Sequence, residues 1–236
     1  MSMKLALHDM GAPGGGRTLG RPDPDLPPAI ESVMITDPQS LEAESIRGLR
    51  TRLVAQHLRE GRRALAICSP AAGSGCSYIA LNLAVAAAQA GIRTVLVDAN
   101  LRDPVLADLC GLPIDMPGLA DYLASDRLAL PDVVDTALMP DLAVVGAGDP
   151  ADNPQELLSG ARFRGLVDQL LREYELTIFD TAPANLCSDG QRVATMAGFS
   201  LLVARKHETY VNDMKTLAKQ LRADKSVVVG AVLNDF

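Results

Sequence analysis

The chain has 236 residues, of which 48% are hydrophobic, 22% charged and only 3% aromatic. That suits one domain whose core is built from Ala, Val, Leu and Ile. The formal net charge of -7 argues against a nucleic-acid partner, because phosphate backbones call for a basic surface. The cysteines Cys68, Cys76, Cys110 and Cys187 lack CxxC spacing, which points to free thiols in a reducing cytosol rather than a zinc site. No segment approaches the ~20 apolar residues of a membrane span, and no signal-peptide pattern opens the chain.

Residues 1–38 read as a flexible arm, rich in Gly and Pro and without apolar periodicity. Residues 39–236 read as one folded domain. Leu41 to Gly61 carries an apolar stripe at mixed three and four spacing and is predicted helical. Strands and helices then alternate. Strands are expected at Ala64–Ser69, Thr94–Asp98, Leu142–Gly146, Leu176–Asp180, Phe199–Ala204 and Val227–Leu233. Helices are expected at Ser77–Ala90, Pro104–Cys110, Gly118–Ala124, Asn153–Glu173, from Ser188 onward, and at Val211–Arg222. Asn153 and Pro154 suit a helix start, and Ser188 to Gln191 has capping-box spacing. The strands are nearly continuous apolar runs, as in a sheet covered on both faces. The expected fold is therefore α/β: a P-loop NTPase-like, doubly wound, mainly parallel sheet with helices on both faces.

Ser69-Pro70-Ala71-Ala72-Gly73-Ser74-Gly75-Cys76-Ser77 forms a Gly-rich turn between a buried strand and a helix. Such a turn aims backbone N–H groups, and the positive end of the helix, at an anion. Gly73 and Gly75 permit positive φ and close approach. Ser77 stands where a P-loop places its magnesium-binding hydroxyl, and Cys76 stands where the lysine belongs. Two further apolar strands deliver acids, Asp98 and Asp180, to the carboxyl edge of the sheet, where ligands collect. Asp180 can hold magnesium as a Walker B acid does.

The segment Val97-Asp98-Ala99-Asn100-Leu101-Arg102-Asp103-Pro104 resembles the Walker A′ motif of bacterial tyrosine kinases, the cytoplasmic ATPase domains of polysaccharide co-polymerases. Asn153-Pro154-Gln155-Glu156-Leu157-Leu158-Ser159 with Phe163, Phe179-Asp180-Thr181-Ala182-Pro183, and Val232-Leu233-Asn234 resemble other stretches of the family, in the same order. Glu44, Arg47 and Arg50 match its oligomerisation signature and span about a third of a helix circumference. The resemblance implies ATP or ADP with Mg2+ as cofactor. It places Ala72, Gly73, Ser74, Gly75, Cys76, Ser77, Tyr78, Arg205 and Asn234 at the nucleotide, with Asn234 near adenine. Ser77, Asp98 and Asp180 would serve the metal, and Asp98 and Asn100 would hold the catalytic positions. It further implies a homo-oligomeric ring through Glu44, Arg47 and Arg50. The chain would then be cytoplasmic and peripheral at the inner membrane, through a Wzz-like polysaccharide co-polymerase.

Three departures bear on catalysis. Cys76 replaces the lysine that stabilises transferring phosphate. Asn100 replaces an acid. The chain ends at Phe236 without the family's tyrosine-rich tail. Together they suggest a pseudo-kinase that binds nucleotide weakly. The alternatives are an active kinase with a transmembrane activator and a relocated cation, such as Arg102, Arg205 or Lys206, and a partitioning ATPase, disfavoured because no lysine opens the loop. A redox role for Cys76 would need a thiol pKa lowered by the helix N-terminus.

Overall fold

The computed structural model describes residues 30–58 and 61–235. The arm expected over residues 1–29 lies outside them. Residues 30–38, read from sequence as arm, are part of the folded domain. Ser32 caps a short helix α1 (Val33–Thr36) and donates its hydroxyl to Asn82 Oδ1 at 2.8 Å. Ile30 and Met34 are buried beside it. So short a segment, less than two helical turns, is too brief to show a periodic pattern.

Helix α2 (Leu41–Gln56), capped by Ser40, precedes β1 (Ala64–Cys68), α3 (Cys76–Ala88) and β2 (Thr94–Asp98). Short helices α4 (Leu106–Cys110) and α5 (Leu119–Ala124) follow, then β3 (Asp135–Met139) and β4 (Leu142–Val145). The predicted Asn153–Glu173 helix is two helices, α6 (Pro154–Ser159) and α7 (Ala161–Glu173). They break at Gly160, whose extended backbone (ψ 159°) ends one and begins the other. Then come β5 (Leu176–Asp180), α8 (Asp189–Ala197), β6 (Phe199–Arg205), α9 (Val211–Ala223) and β7 (Val227–Asn234). Asn153 and Ser188 occupy the N-cap positions of α6 and α8, but neither side chain makes the capping hydrogen bond expected of it.

The seven strands form one sheet in the order β3-β4-β2-β5-β1-β6-β7. All pairings are parallel except β3 with β4. Strand residues alternate between the two faces, so each strand feeds two cores. Ala64, Ala66 and Cys68 of β1 join a core with α5, α7, α8 and α9, while Leu65 and Ile67 join one with α1, α2 and α3. No described helix is long and apolar enough to cross a membrane.

Helix α2 lies on α3. Arg50 Nη1 reaches Ala86 O at 3.1 Å, and Tyr78 interacts with Glu42 near the opposite end. The sequence offset is 36 in both contacts, so the helices run parallel. The helix that carries Glu44, Arg47 and Arg50 is thereby fixed to the helix that opens at the phosphate loop.

One glycine is demanded by packing. A Cβ at Gly118 would stand 1.9 Å from the Gly148 amide nitrogen, where the start of α5 meets the loop after β4. Gly165, on the exposed side of α7, has nothing within 4 Å of its would-be Cβ. Gly118→Ala is expected to destabilise the fold by about 3 kcal/mol or more. Gly165→Ala is expected to stabilise it by about 1 kcal/mol. Urea midpoints of the two variants check this, and a neutral Gly118→Ala would contradict the packing.

Candidate functional site

Three loops at the carboxyl edge of the sheet enclose a cavity of about 290 Å³, at the small end of ligand sites. The β1–α3 loop contributes Ala72, Gly73, Ser74, Gly75, Cys76, Ser77 and Tyr78. The loop after β2 contributes Asn100, Arg102, Asp103 and Val105. The loop after β5 contributes Thr181, Ala182, Pro183 and Leu186. Gly73 and Gly75 sit at φ 74° and 86°, the left-handed region where a side chain is strained. Ser69 and Ser74 hydroxyls both donate to Ala71 O at 2.8 Å and hold the loop's shape. Helix α3 begins at Cys76, so the loop delivers a helix N-terminus to the cavity.

Asp98 and Asp180 lie beneath the cavity. Register pairs them across β2 and β5, and both are almost wholly buried. Ser77 donates its hydroxyl to Asp180 Oδ2, while Asp180 Oδ1 is buried with no hydrogen-bond partner. Asp98 accepts the Asn100 and Leu106 amides, each at 3.1 Å. Burial raises both carboxyls. Asp98 is pushed up to about 7 by burial and the Asp103 charge, against the pull of those amides. Asp180 is pushed up to about 8 by burial and then by Asp98. A divalent cation suits this floor, since it would neutralise the pair and fill the open position on Asp180. Ser77, Asp98 and Asp180 are the residues that would hold it.

Other expected residues fall differently. Asn100 folds back onto its own loop: its Nδ2 donates to Asp103 O at 2.6 Å and its Oδ1 accepts the Asp103 amide at 3.4 Å. Asn234 is fully buried beside the phosphate loop, with Nδ2 donating to Ser74 O at 3.1 Å and Oδ1 unpaired. Arg205 Nη1 reaches Gly73 O at 3.4 Å, and its Nε pairs with Glu208 at 3.3 Å. Neither Asn234 nor Arg205 lines the cavity. Lys206 is held by Asp235 at 2.7 Å. Glu44, Arg47 and Arg50 lie on α2, away from the cavity, with Glu44 and Arg47 paired at 3.3 Å.

The surroundings of Cys76 disfavour the redox alternative. Its thiol is raised well above the ordinary value, by burial first and then by the Asp180 charge. A hydrogen bond with the Ser69 side chain pulls the other way and does not overcome them.

Sequence reasoning missed the acid that organises the cavity wall. Asp189, at the first turn of α8, is buried and binds Arg102 through Nε at 2.6 Å and Nη2 at 3.4 Å. Its one sequence signal, capping-box spacing, pointed to a different role.

The raised carboxyls make the unliganded fold pH-sensitive. Unfolded carboxyls ionise near pH 4, and the folded ones only near 7 to 8. The stability this confers is full below about pH 4 and is lost as pH rises to about 8. Asp180→Asn is expected to flatten that decline and to raise Tm above pH 8 in metal-free buffer. Melting curves from pH 4 to 9 test this, and an unchanged slope would remove the buried pair as its cause.

No protein-family model matches the chain. Among curated proteins, EpsB of Ralstonia nicotianae is 34% identical over 197 residues, 84% of this chain and 26% of that protein. The chain therefore spans about a quarter of the length of this relative. Tyrosine-protein kinase YwqD of Bacillus subtilis is 30% identical over 202 residues, 86% of this chain and 84% of YwqD. The kinase domain of the Escherichia coli tyrosine kinase ETK superposes with a TM-score of 0.80 at 28% identity, covering 86% of this chain and 79% of that one. The septum site-determining protein MinD of Pyrococcus horikoshii, solved with Mg-ADP, shares the fold with a TM-score of 0.62 at 17% identity, covering 72% of this chain and 69% of that one. The MinD likeness is one of fold, and the kinase relatives, together with the ordered motifs, establish that the chain belongs to the bacterial tyrosine kinase family.

Proposed function

We propose that this chain is a nucleotide-binding pseudo-kinase of a capsule or exopolysaccharide synthesis and export system, working structurally or as a regulator beside an inner-membrane co-polymerase. The observation that carries the reading is Cys76 at the first residue of α3, a cavity-lining residue whose thiol is raised well above its ordinary value. Phosphoryl transfer is catalysed by positioning and by charge on the transferring group. A thiol supplies neither a cation nor a strong donor. Asn100, turned into its own loop, supplies no base.

Binding is a separate matter from turnover. The left-handed glycines, the α3 N-terminus, Ser77 and the two acids support retention of ATP or ADP. Magnesium, when bound, supplies the charge that lets phosphate approach two carboxylates. Ser77, Asp98 and Asp180 would hold it, and the phosphate-loop amides would orient the nucleotide. The attachment of α2 to α3 supports a ring whose contact helix is set by the same element that meets the nucleotide.

Titration of the purified protein with ATP and ADP, with and without Mg2+, tests the reading. Binding strengthened by Mg2+ and no kinase-like ATP turnover, alone or with the co-polymerase, are expected. Cys76→Lys restores a charged hydrogen bond and is expected to tighten ATP binding by about ten- to a hundredfold. Kinase-like turnover by the wild type that Asp180→Ala abolishes would overturn the pseudo-kinase assignment. No binding at millimolar ATP or ADP would overturn the nucleotide assignment.

A further inference from the structure

We propose that Arg102, fixed in place by Asp189, is the cation that meets the terminal phosphate of a bound nucleoside triphosphate, in place of the lysine absent at Cys76. The inference rests on the nucleotide-binding reading and adds to it a residue, a charge and a direction of approach.

Among the described residues that line the phosphate cavity, Arg102 is the single cation. The other candidates are turned elsewhere. Arg205 sits beside Gly73 and pairs with Glu208, while Lys206 pairs with Asp235. Arg102 enters from the loop after β2, lining the same cavity as the phosphate-loop glycines and Asp103. Asp103 is the one anion of this lining, and its repulsion of phosphate is a further reason for a cation beside it.

The Arg102 side chain is 43% exposed, while the Asp189 side chain is 2% exposed. The exposed partner is therefore held by a fixed, buried one. Asp189 is itself anchored by packing. A Cβ on the adjoining Gly190 would stand 2.8 Å from Ala182 O and 3.0 Å from Thr181 Oγ1, so the first turn of α8 is pressed onto the strand end that lines the cavity. Thr181 in turn donates to Ile67 O at 2.8 Å. This chain of contacts ties the guanidinium to the frame that holds Asp180.

The bond pattern suits phosphate recognition. Asp189 takes the Nε and Nη2 side of the guanidinium. The Cys187 side chain also hydrogen-bonds the guanidinium, but arginine carries five N–H donors in a planar fork, so donors remain for a second anion. Pinning one edge fixes the plane of the other and lowers the ordering cost of binding. Arg102 is the cation-supplying residue here, and Asp189 is a positioning residue acting through it.

The test measures ATP and ADP affinity with Mg2+ for the full chain and for Arg102→Ala, Arg102→Lys, Asp189→Asn and the double variant Cys76→Lys/Arg102→Ala. Circular dichroism and melting of each variant confirm the fold. Arg102→Ala is expected to weaken ATP by about ten- to a hundredfold while changing ADP little, the loss belonging to one charged hydrogen bond. Arg102→Lys keeps the charge and loses the fork, so it is expected to fall between. It also serves as the deciding variant should Arg102→Ala fail to fold. Asp189→Asn is expected to show the same ATP-selective loss at smaller size. The double variant is expected to recover ATP binding. Added salt is expected to weaken ATP binding more in the wild type than in Arg102→Ala.

Equal losses of ATP and ADP, or a loss that the added lysine does not rescue, would assign the Arg102–Asp189 pair to loop structure and sink the proposal. So would ATP affinity unchanged in both Arg102 variants, and either result leaves the nucleotide reading standing. A wild type that binds neither nucleotide would instead remove that reading, and this proposal with it.

Discussion

The pairing of β2 with β5 sets Asp98 opposite Asp180 beneath the phosphate loop, and much of the site answers to that burial of two acids. Buried carboxylates repel each other and lose their hydration. Each is handled by a different device. Asp98 accepts amides from the loop that follows β2, which shapes the turn leading into α4. Asp180 accepts the Ser77 hydroxyl, which ties the β5 edge to the first turn of α3. Phosphate loop, Walker A′ turn and Walker B strand are thus joined through two side chains. What remains is one unpaired oxygen on Asp180, a position that a metal ion can fill.

The central strands were legible because their composition leaves few options. Runs such as Thr94–Asp98 and Leu176–Asp180 are buried on both faces, so three of the five residues in each are large and apolar and the acid stands only at the strand end. The edge strand β3 was not legible. Its Asp135-Thr136-Ala137-Leu138-Met139 has no fully buried residue, and it is a strand because β4 offers a free edge across the tight turn at Asp141, φ 61°. The break at Gly160 was hidden for a related reason. A Gly within a helical pattern costs about 1 kcal/mol and is still tolerated, so periodicity alone does not separate one helix from two. Ser159 and Gly160 separate only once α6 and α7 are seen as distinct elements.

The site was legible in its loops and not in its cross-links. Spacing placed Ala72 to Tyr78 and Asn100 around one cavity, because those residues follow strands that must share a sheet edge. It could not place Arg102 against Asp189, 87 positions away, since that contact depends on how closely Gly190 brings α8 to Ala182. Nor could it show that Asn100 bonds to its own loop. Asn with a free amide two or three residues on has a local alternative to any ligand, and here the local bonds are made.

The exchange of lysine for Cys76 changes the electrostatics of the whole floor. A lysine at the head of α3 would place a positive charge near Asp180 and lower that acid's proton affinity. The Cys76 thiol is near enough to feel the Asp180 charge and gives nothing back. Asp180 is consequently left with burial and Asp98 against it, and only the Ser77 hydroxyl and the Thr181 amide in its favour. Without the lysine, burial favours the protonated acids near neutral pH, and a metal ion bound there would release protons as it joined them. The loop thereby lacks the lysine charge at the head of α3 while keeping its left-handed glycines and the Ser77 hydroxyl, so any cation that meets a phosphate there must come from outside the loop.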